Sequence, residues 1–237
     1  MIATTALLSL LGAAAASPIA ERQTAPMFPD TVQSKGFHLV VYVTDLSQDF
    51  KPSIHNTYIS SIHVGPPLNL LGNTNDIKSA RIFDTNGTYN GHPASQDLTT
   101  VSDGGTPATP YGISLKPTDE ENVSLVHLDA GPGDATVALS LFPEPYSYLS
   151  PETFVACKEP LAYYGGKEFV IFKQAKTTIT EDGGIDYNIP KRCVPVHLLP
   201  EATKLNTLPP GSLASHNHAL ESRVYKNVKS INWSKDA

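Results

Sequence analysis

The residues whose types and spacing could do chemistry are few. The chain has only two cysteines, Cys157 in TFVACKEP and Cys193 in IPKRCVPVHLL. A structural zinc site wants four ligands, so the pair does not make one, and no partnered motif marks either as a catalytic thiol. His216-Asn217-His218 would place two imidazoles on one face of a strand, as a metal site needs. It has no acidic or cysteine neighbours, so two solvated histidines are expected. Asp129 and Asp134, like Asp182 and Asp186, flank glycine turns and could offer calcium their carboxylates. They do not follow the EF-hand pattern, and Asx turns account for them without a metal. No metal and no cofactor is expected.

Glycoside hydrolysis requires two carboxylates across a cleft. Glu144, Glu152, Glu159 and Asp182 are available, but no local motif pairs any two of them. The chain lacks a G-x-S-x-G elbow, a P-loop, a dinucleotide-binding fingerprint and an H-E-x-x-H motif. No catalytic residue is assigned. The aromatic residues are more suggestive. LFPEPYSYL brings Tyr146 and Tyr148 close to Phe142, and Tyr163-Tyr164 follow shortly after. Ring faces with a polar tip suit stacking on sugars, so these four tyrosines are candidate carbohydrate contacts. The strand-rich region contains no tryptophan, which argues against that reading.

Positioning such residues needs a scaffold, and its compartment comes first. MIATTALLSLLGAAAASPIA has a short apolar run followed by small residues, the pattern of a signal peptide cleaved after Ala16. No later run approaches the length of a membrane span. Sequons at Asn86, Asn122 and Asn232 agree with export. An exported chain meets an oxidising compartment, where Cys157 and Cys193 are expected to pair. The loop closed is about 37 residues, which the chain-entropy model values at roughly 4 kcal/mol. The net charge of −6 and the lack of a Lys/Arg block exclude nucleic acid as a partner. No membrane partner is expected after signal cleavage.

Short Val/Ile/Phe/Tyr runs separated by Gly, Pro, Asn and Asp predict an all-β protein, an antiparallel β-sandwich or barrel-like sandwich. Strands are expected at 37–43, 56–64, 79–84, 111–115, 123–128, 135–141, 153–157, 168–173 and 193–199. Residues 17–34 read as a linker, 35–200 as the domain, and 201–237 as a flexible or weakly helical tail. Leu220, Val224, Val228 and Ile231 recur there at helical spacing. Removing this tail is expected to cost little stability.

The segments GFHLVVYVTDL, YISSIHVG, ARIFDTNGTYNG and TFVACKEP…EFVIFKQ…RCVPVHLLPE resemble an uncharacterised family of small secreted proteins from filamentous ascomycete fungi. The F-x-A-C strand and late cysteine are more loosely similar to the fungal cell-wall family named for phialide development. The likeness covers roughly residues 36–200 and implies a secreted β-sandwich with no established activity. The expectation is a secreted, non-catalytic extracellular or cell-wall-associated protein, with cell-wall polysaccharide as the partner to test. The alternatives are a carbohydrate-binding or carbohydrate-active protein and a secreted effector.

Overall fold

The computed structural model describes residues 28–87 and 97–234. The expected signal peptide, most of the linker and Thr88 of the first sequon lie outside these residues. The described chain forms β1 (Thr31–Ser34), β2 (Gly36–Val43), β3 (Tyr58–Gly65), β4 (Leu68–Thr74), β5 (Phe83–Asn86), β6 (Thr99–Gly104), β7 (Thr109–Pro117) and β8 (Val123–Ala130). It continues through β9 (Phe154–Leu161), β10 (Lys167–Ala175), β11 (Thr178–Ile179), β12 (Ile185–Asp186), β13 (Cys193–Thr203), β14 (Ala219–Leu220) and β15 (Ser222–Tyr225). Helical structure among these residues is limited to short 3-10 turns.

The sheet closes on itself. β13 pairs with β2 on one side and β9 on the other. From β9 the ladder runs through β10, β8, β7, β6 and β5. β5 then returns to β2 through Gly36↔Asp84 and Phe37↔Phe83. The β3–β4 hairpin crosses the ring, touching β2 at Val40↔Tyr58 and β8 at Leu70↔His127. All these pairings are antiparallel, and the parallel Glu201↔Tyr225 contact of β13 with β15 is added outside the ring. The result is the all-β, barrel-like sandwich the sequence predicts. A closed ladder leaves few unpaired edges, which suits a protein built of short strands.

Alternation along the strands divides the interior from the outer face. In β2, Phe37, Leu39, Val41 and Val43 enter the main core; in β13, Val194, Val196 and Leu198 join them. Val40 and Tyr42 of β2 and Leu199 of β13 face outward, yet Val40 and Leu199 are buried. Their cover is the C-terminal segment, which supplies Tyr225, Val228, Ile231 and Trp233. A second outer cluster surrounds the Cys157–Cys193 disulfide, with Ile62, Leu70, Val155 and Ile171. The two cysteines face each other across β9 and β13 with Cα atoms 4.1 Å apart. β13 tolerates two prolines because neither ring nitrogen displaces a ladder hydrogen bond, and Pro195 uses its carbonyl to accept the Thr44 amide. Pro195 precedes the β2 ladder, and Pro200 lies between the β9 and β15 contacts.

Several elements differ from the sequence reading. Residues 135–141 form no strand; only a Leu139↔Leu149 bridge occurs there, with Val137 and Leu139 anchoring the segment in the core. β4 and β6 were not expected, because Asn, Gly, Ser and Asp dilute their β-formers. The supposed linker ends in β1, which pairs with β15 over Thr31↔Tyr225 to Ser34↔Ser222. The tail is weakly structured, without strands between β13 and β14 and with one 3-10 turn at Val228–Ser230. The helix spacing is realised only there, since Val224 lies in β15.

The tail is nevertheless docked, so the structure predicts a cost for its removal where the sequence reading expects little. Val224, Tyr225 and Val228 are each 1% exposed or less. The Glu201 carboxylate accepts from the Val228 amide at 2.8 Å and from the Tyr58 hydroxyl at 3.3 Å. Tyr225→Ala is expected to destabilise by about 3–5 kcal/mol, as for other large buried rings. Tyr225→Phe, which removes only the acceptor for the Ser147 amide, should cost about 1–2 kcal/mol. Denaturant unfolding of the variants checks both figures. An unchanged midpoint for a chain ending at Thr203 would contradict the docked arrangement.

Candidate functional site

The β2–β13 register places Tyr42 directly opposite His197 on the outer face. Their rings stack at 6.4 Å with 17° between planes. Tyr148 reaches His197 from the 137–152 connection, at 6.3 Å. Trp233, arriving from the C-terminus, packs at 5.0 Å on Tyr42, 6.0 Å on Tyr225 and 6.3 Å on Tyr146. Tyr42, Tyr146, Tyr148, His197 and Trp233, with Glu144, Glu152 and Leu199, line a cavity of about 320 Å³. A neighbouring cavity of about 500 Å³ shares Glu152 and His197 with it. Its other walls are mainly apolar and include Phe154, Val196, Tyr187 and Ile189. Together they form one groove with an aromatic, acidic end and an apolar end.

The aromatic turn is held from behind. Arg223 of β15 donates to the carbonyls of Glu144, Pro145 and Tyr146. The Tyr146 carbonyl also accepts from the Ser140 hydroxyl at 2.7 Å, and the Ser147 amide donates to the Tyr225 hydroxyl at 2.9 Å. Charge-assisted donation to successive carbonyls fixes the turn and hence the directions of Tyr146 and Tyr148. Leu149 donates its amide to Leu198 of β13 at 2.8 Å, tying the same connection to the sheet.

Burial lowers the His197 pKa against the pull of Glu152, so the ring is neutral near pH 7. Its Nδ1 is buried without a hydrogen-bond partner among the described residues. Glu152 Oε1, at 3.7 Å, is too far to be one, and a neutral ring makes no ion pair with it. Burial, reinforced by Glu152 and Glu144, raises the Tyr148 pKa and keeps its hydroxyl protonated. The groove therefore offers ring faces, a hydroxyl donor and two carboxylates.

The four candidate tyrosines are divided between two places. Tyr146 and Tyr148 line the groove. Tyr163 and Tyr164 sit in the 3-10 turn Ala162–Tyr164 between β9 and β10, 57% and 39% exposed, beside His63 and Phe169. Sequence reasoning missed Tyr42, His197 and Trp233 as site residues. Glu144 and Glu152 share the groove, whereas Glu159 pairs with Lys173 at 2.6 Å and Asp182 caps its own turn at Gly184. Asp129 and Asp134 accept backbone amides from Asn69 and Leu115, and Asp186 accepts from Asn188. Among the sequon asparagines, Asn86 is half-buried between β6 and β14, Asn122 occupies a left-handed turn, and Asn232 is exposed.

A second titratable cluster lies under the 204–218 connection. His216, expected to be solvated, instead meets Asp103 at 2.9 Å. The Arg81 guanidinium donates to the Asp103 carbonyl at 2.7 Å. Asp84, 2% exposed, has an Oδ2 without a hydrogen-bond partner among the described residues. Burial pushes its pKa up to about 7, opposed by His216 and reinforced by Asp103. A raised carboxyl pKa gives stability that is complete below the unfolded value of 3.8 and lost as pH rises to about 7. The loss amounts to about 4 kcal/mol at roughly 1.4 kcal/mol per unit. Asp84→Asn, which does not titrate, should gain stability relative to the parent as pH rises from 4 to 8. Paired unfolding curves measure this, and a gap independent of pH would contradict it.

A family model described as "Domain of unknown function (DUF7907)" matches residues 34–202. The chain is also similar to "Antigenic protein SchS34" of Stachybotrys chartarum, 51% identical over 220 residues, covering 92% of this chain and 98% of that protein. No solved structure matches.

Proposed function

The chain belongs to the DUF7907 family, whose function is unknown, and we propose that it is a secreted, non-catalytic protein that binds carbohydrate of the extracellular space or cell wall in the aromatic groove. The observation that carries this reading is the convergence of Trp233, Tyr42, Tyr146 and Tyr148 around one cavity with two carboxylates. Sugar rings present C–H faces that stack on aromatic rings and hydroxyls that hydrogen-bond at the rim.

Export is supported by the leader-like residues 1–16, which lie outside the described region, and by the disulfide. The antigenic relative is compatible with an extracellular protein. Asn232 is proposed as a glycosylated sequon, being exposed with its Ser234 hydroxyl at 2.7 Å; Asn122 is a second candidate. Asn86 is the least available, since neighbours occupy both of its edges.

A hydrolytic reading draws on the presence of Glu144 and Glu152 in one groove. The Glu152 side chain is 54% exposed, whereas an acid that protonates a leaving group sits in a desolvated pocket. Binding is therefore preferred to cleavage. Purified protein is expected to be retained on wall polysaccharide without releasing reducing ends. Trp233→Ala or Tyr42→Ala should each weaken retention roughly tenfold, about 1.4 kcal/mol. Sugar release abolished by Glu144→Gln or Glu152→Gln would establish hydrolysis instead. Retention unaffected by the aromatic substitutions would remove the groove from the account.

A further inference from the structure

The groove's charge is one-sided. Among the described residues, Glu144 and Glu152 are its only formally charged lining residues at neutral pH, because His197 is neutral there and the described lining contains no lysine or arginine. The nearby Arg223 guanidinium is engaged by the carbonyls of residues 144–146 and lines a different cavity, with Phe142 and Leu220. Tyr42, Tyr146, Tyr148 and Trp233 stand around the same space as the carboxylates. Electron-rich ring faces together with carboxylates favour a cation over a neutral group, and the preference grows as water is excluded. The chain's net charge of −6 adds a favourable long-range field for a cationic ligand.

A neutral sugar would leave this charge unused. We infer that the groove selects amino sugars whose amines are free and protonated, so that its ligand is a deacetylated glucosamine polymer rather than a neutral glucan or a fully acetylated chain. The sugar rings stack on Trp233 and Tyr42, and the ammonium groups lie toward Glu144 and Glu152. This inference rests on the carbohydrate-binding reading of the same groove and narrows it.

The single tryptophan of the chain is Trp233, so intrinsic indole fluorescence reports on this groove alone. The full-length secreted protein is titrated at about pH 6, where carboxylates are ionised, with a glucosamine tetramer and with its N-acetylated counterpart. The glucosamine tetramer is expected to bind at least tenfold more tightly. The preference should shrink as salt rises and disappear in the isosteric Glu144→Gln/Glu152→Gln double variant, with thermal unfolding confirming that the variant is folded. Equal affinity for the two tetramers, or a preference that survives the double substitution, would overturn the inference. If equal binding is also lost in Trp233→Ala, measured calorimetrically, the carbohydrate reading stands without the charge selectivity. If neither tetramer nor a neutral glucan oligomer binds, both readings fall.

Discussion

Arg223 gathers the carbonyls of Glu144, Pro145 and Tyr146, and the geometry of the groove depends on that grip. The 144–148 turn has no strand pairing along its length to hold it. The carbonyls of Glu144 and Pro145 would otherwise be left to water, and its tyrosines would be less firmly directed. A guanidinium bound by several acceptors offsets the entropy of ordering such a turn better than one neutral hydrogen bond could. The Ser147 amide on the Tyr225 hydroxyl adds a second tie from the same strand. The aromatic wall is thus ordered by residues some 75 positions later, at sequence separations of 77–79.

β13 makes that return route available. Its inner face joins the main core, while its outer face carries His197, Leu199 and Glu201 in succession. His197 enters the groove, Leu199 provides the apolar bed for Tyr225 and Val228, and Glu201 receives the Val228 amide. Burial, with Glu201 reinforcing it, raises the Tyr58 pKa and so keeps that hydroxyl a donor to the carboxylate. The Cys157–Cys193 bridge fixes the opposite end of β13 against β9. A strand held at both ends has one register, and a single-residue slip would turn His197 inward.

How much of this was legible in the sequence depends on the range of the signal. β2, β8, β10 and β13 announce themselves through runs of β-branched and aromatic residues, and the disulfide follows from cysteine number and the expectation of export. β4 did not, because LNLLGNT carries two asparagines and a glycine. Gly72 is required there, since a Cβ would come within 2.6 Å of the Ile62 side chain. The 135–141 segment alternates like a strand because Val137 and Leu139 both anchor it, yet it makes only one bridge. Tyr146 and Tyr148 were visible as a local cluster. Tyr42 and His197 looked like ordinary strand residues until cross-strand register put them face to face. Trp233 stands in a polar stretch thirty residues beyond β13, and nothing local marks it. Leu220, Val224, Val228 and Ile231 are the available sign that this stretch docks somewhere, though their spacing also suits the weakly helical tail the sequence suggests.

The account turns on the C-terminal segment being part of the folded body, since Arg223 orders the turn and Trp233 completes the wall. Residue-resolved native-state hydrogen exchange of the 222–231 amides tests this most directly. The account predicts that the Val224 and Val228 amides exchange as slowly as those of β13, through global unfolding. Exchange of the whole segment at the rate of an unprotected peptide, while β2 and β13 remain protected, would contradict it.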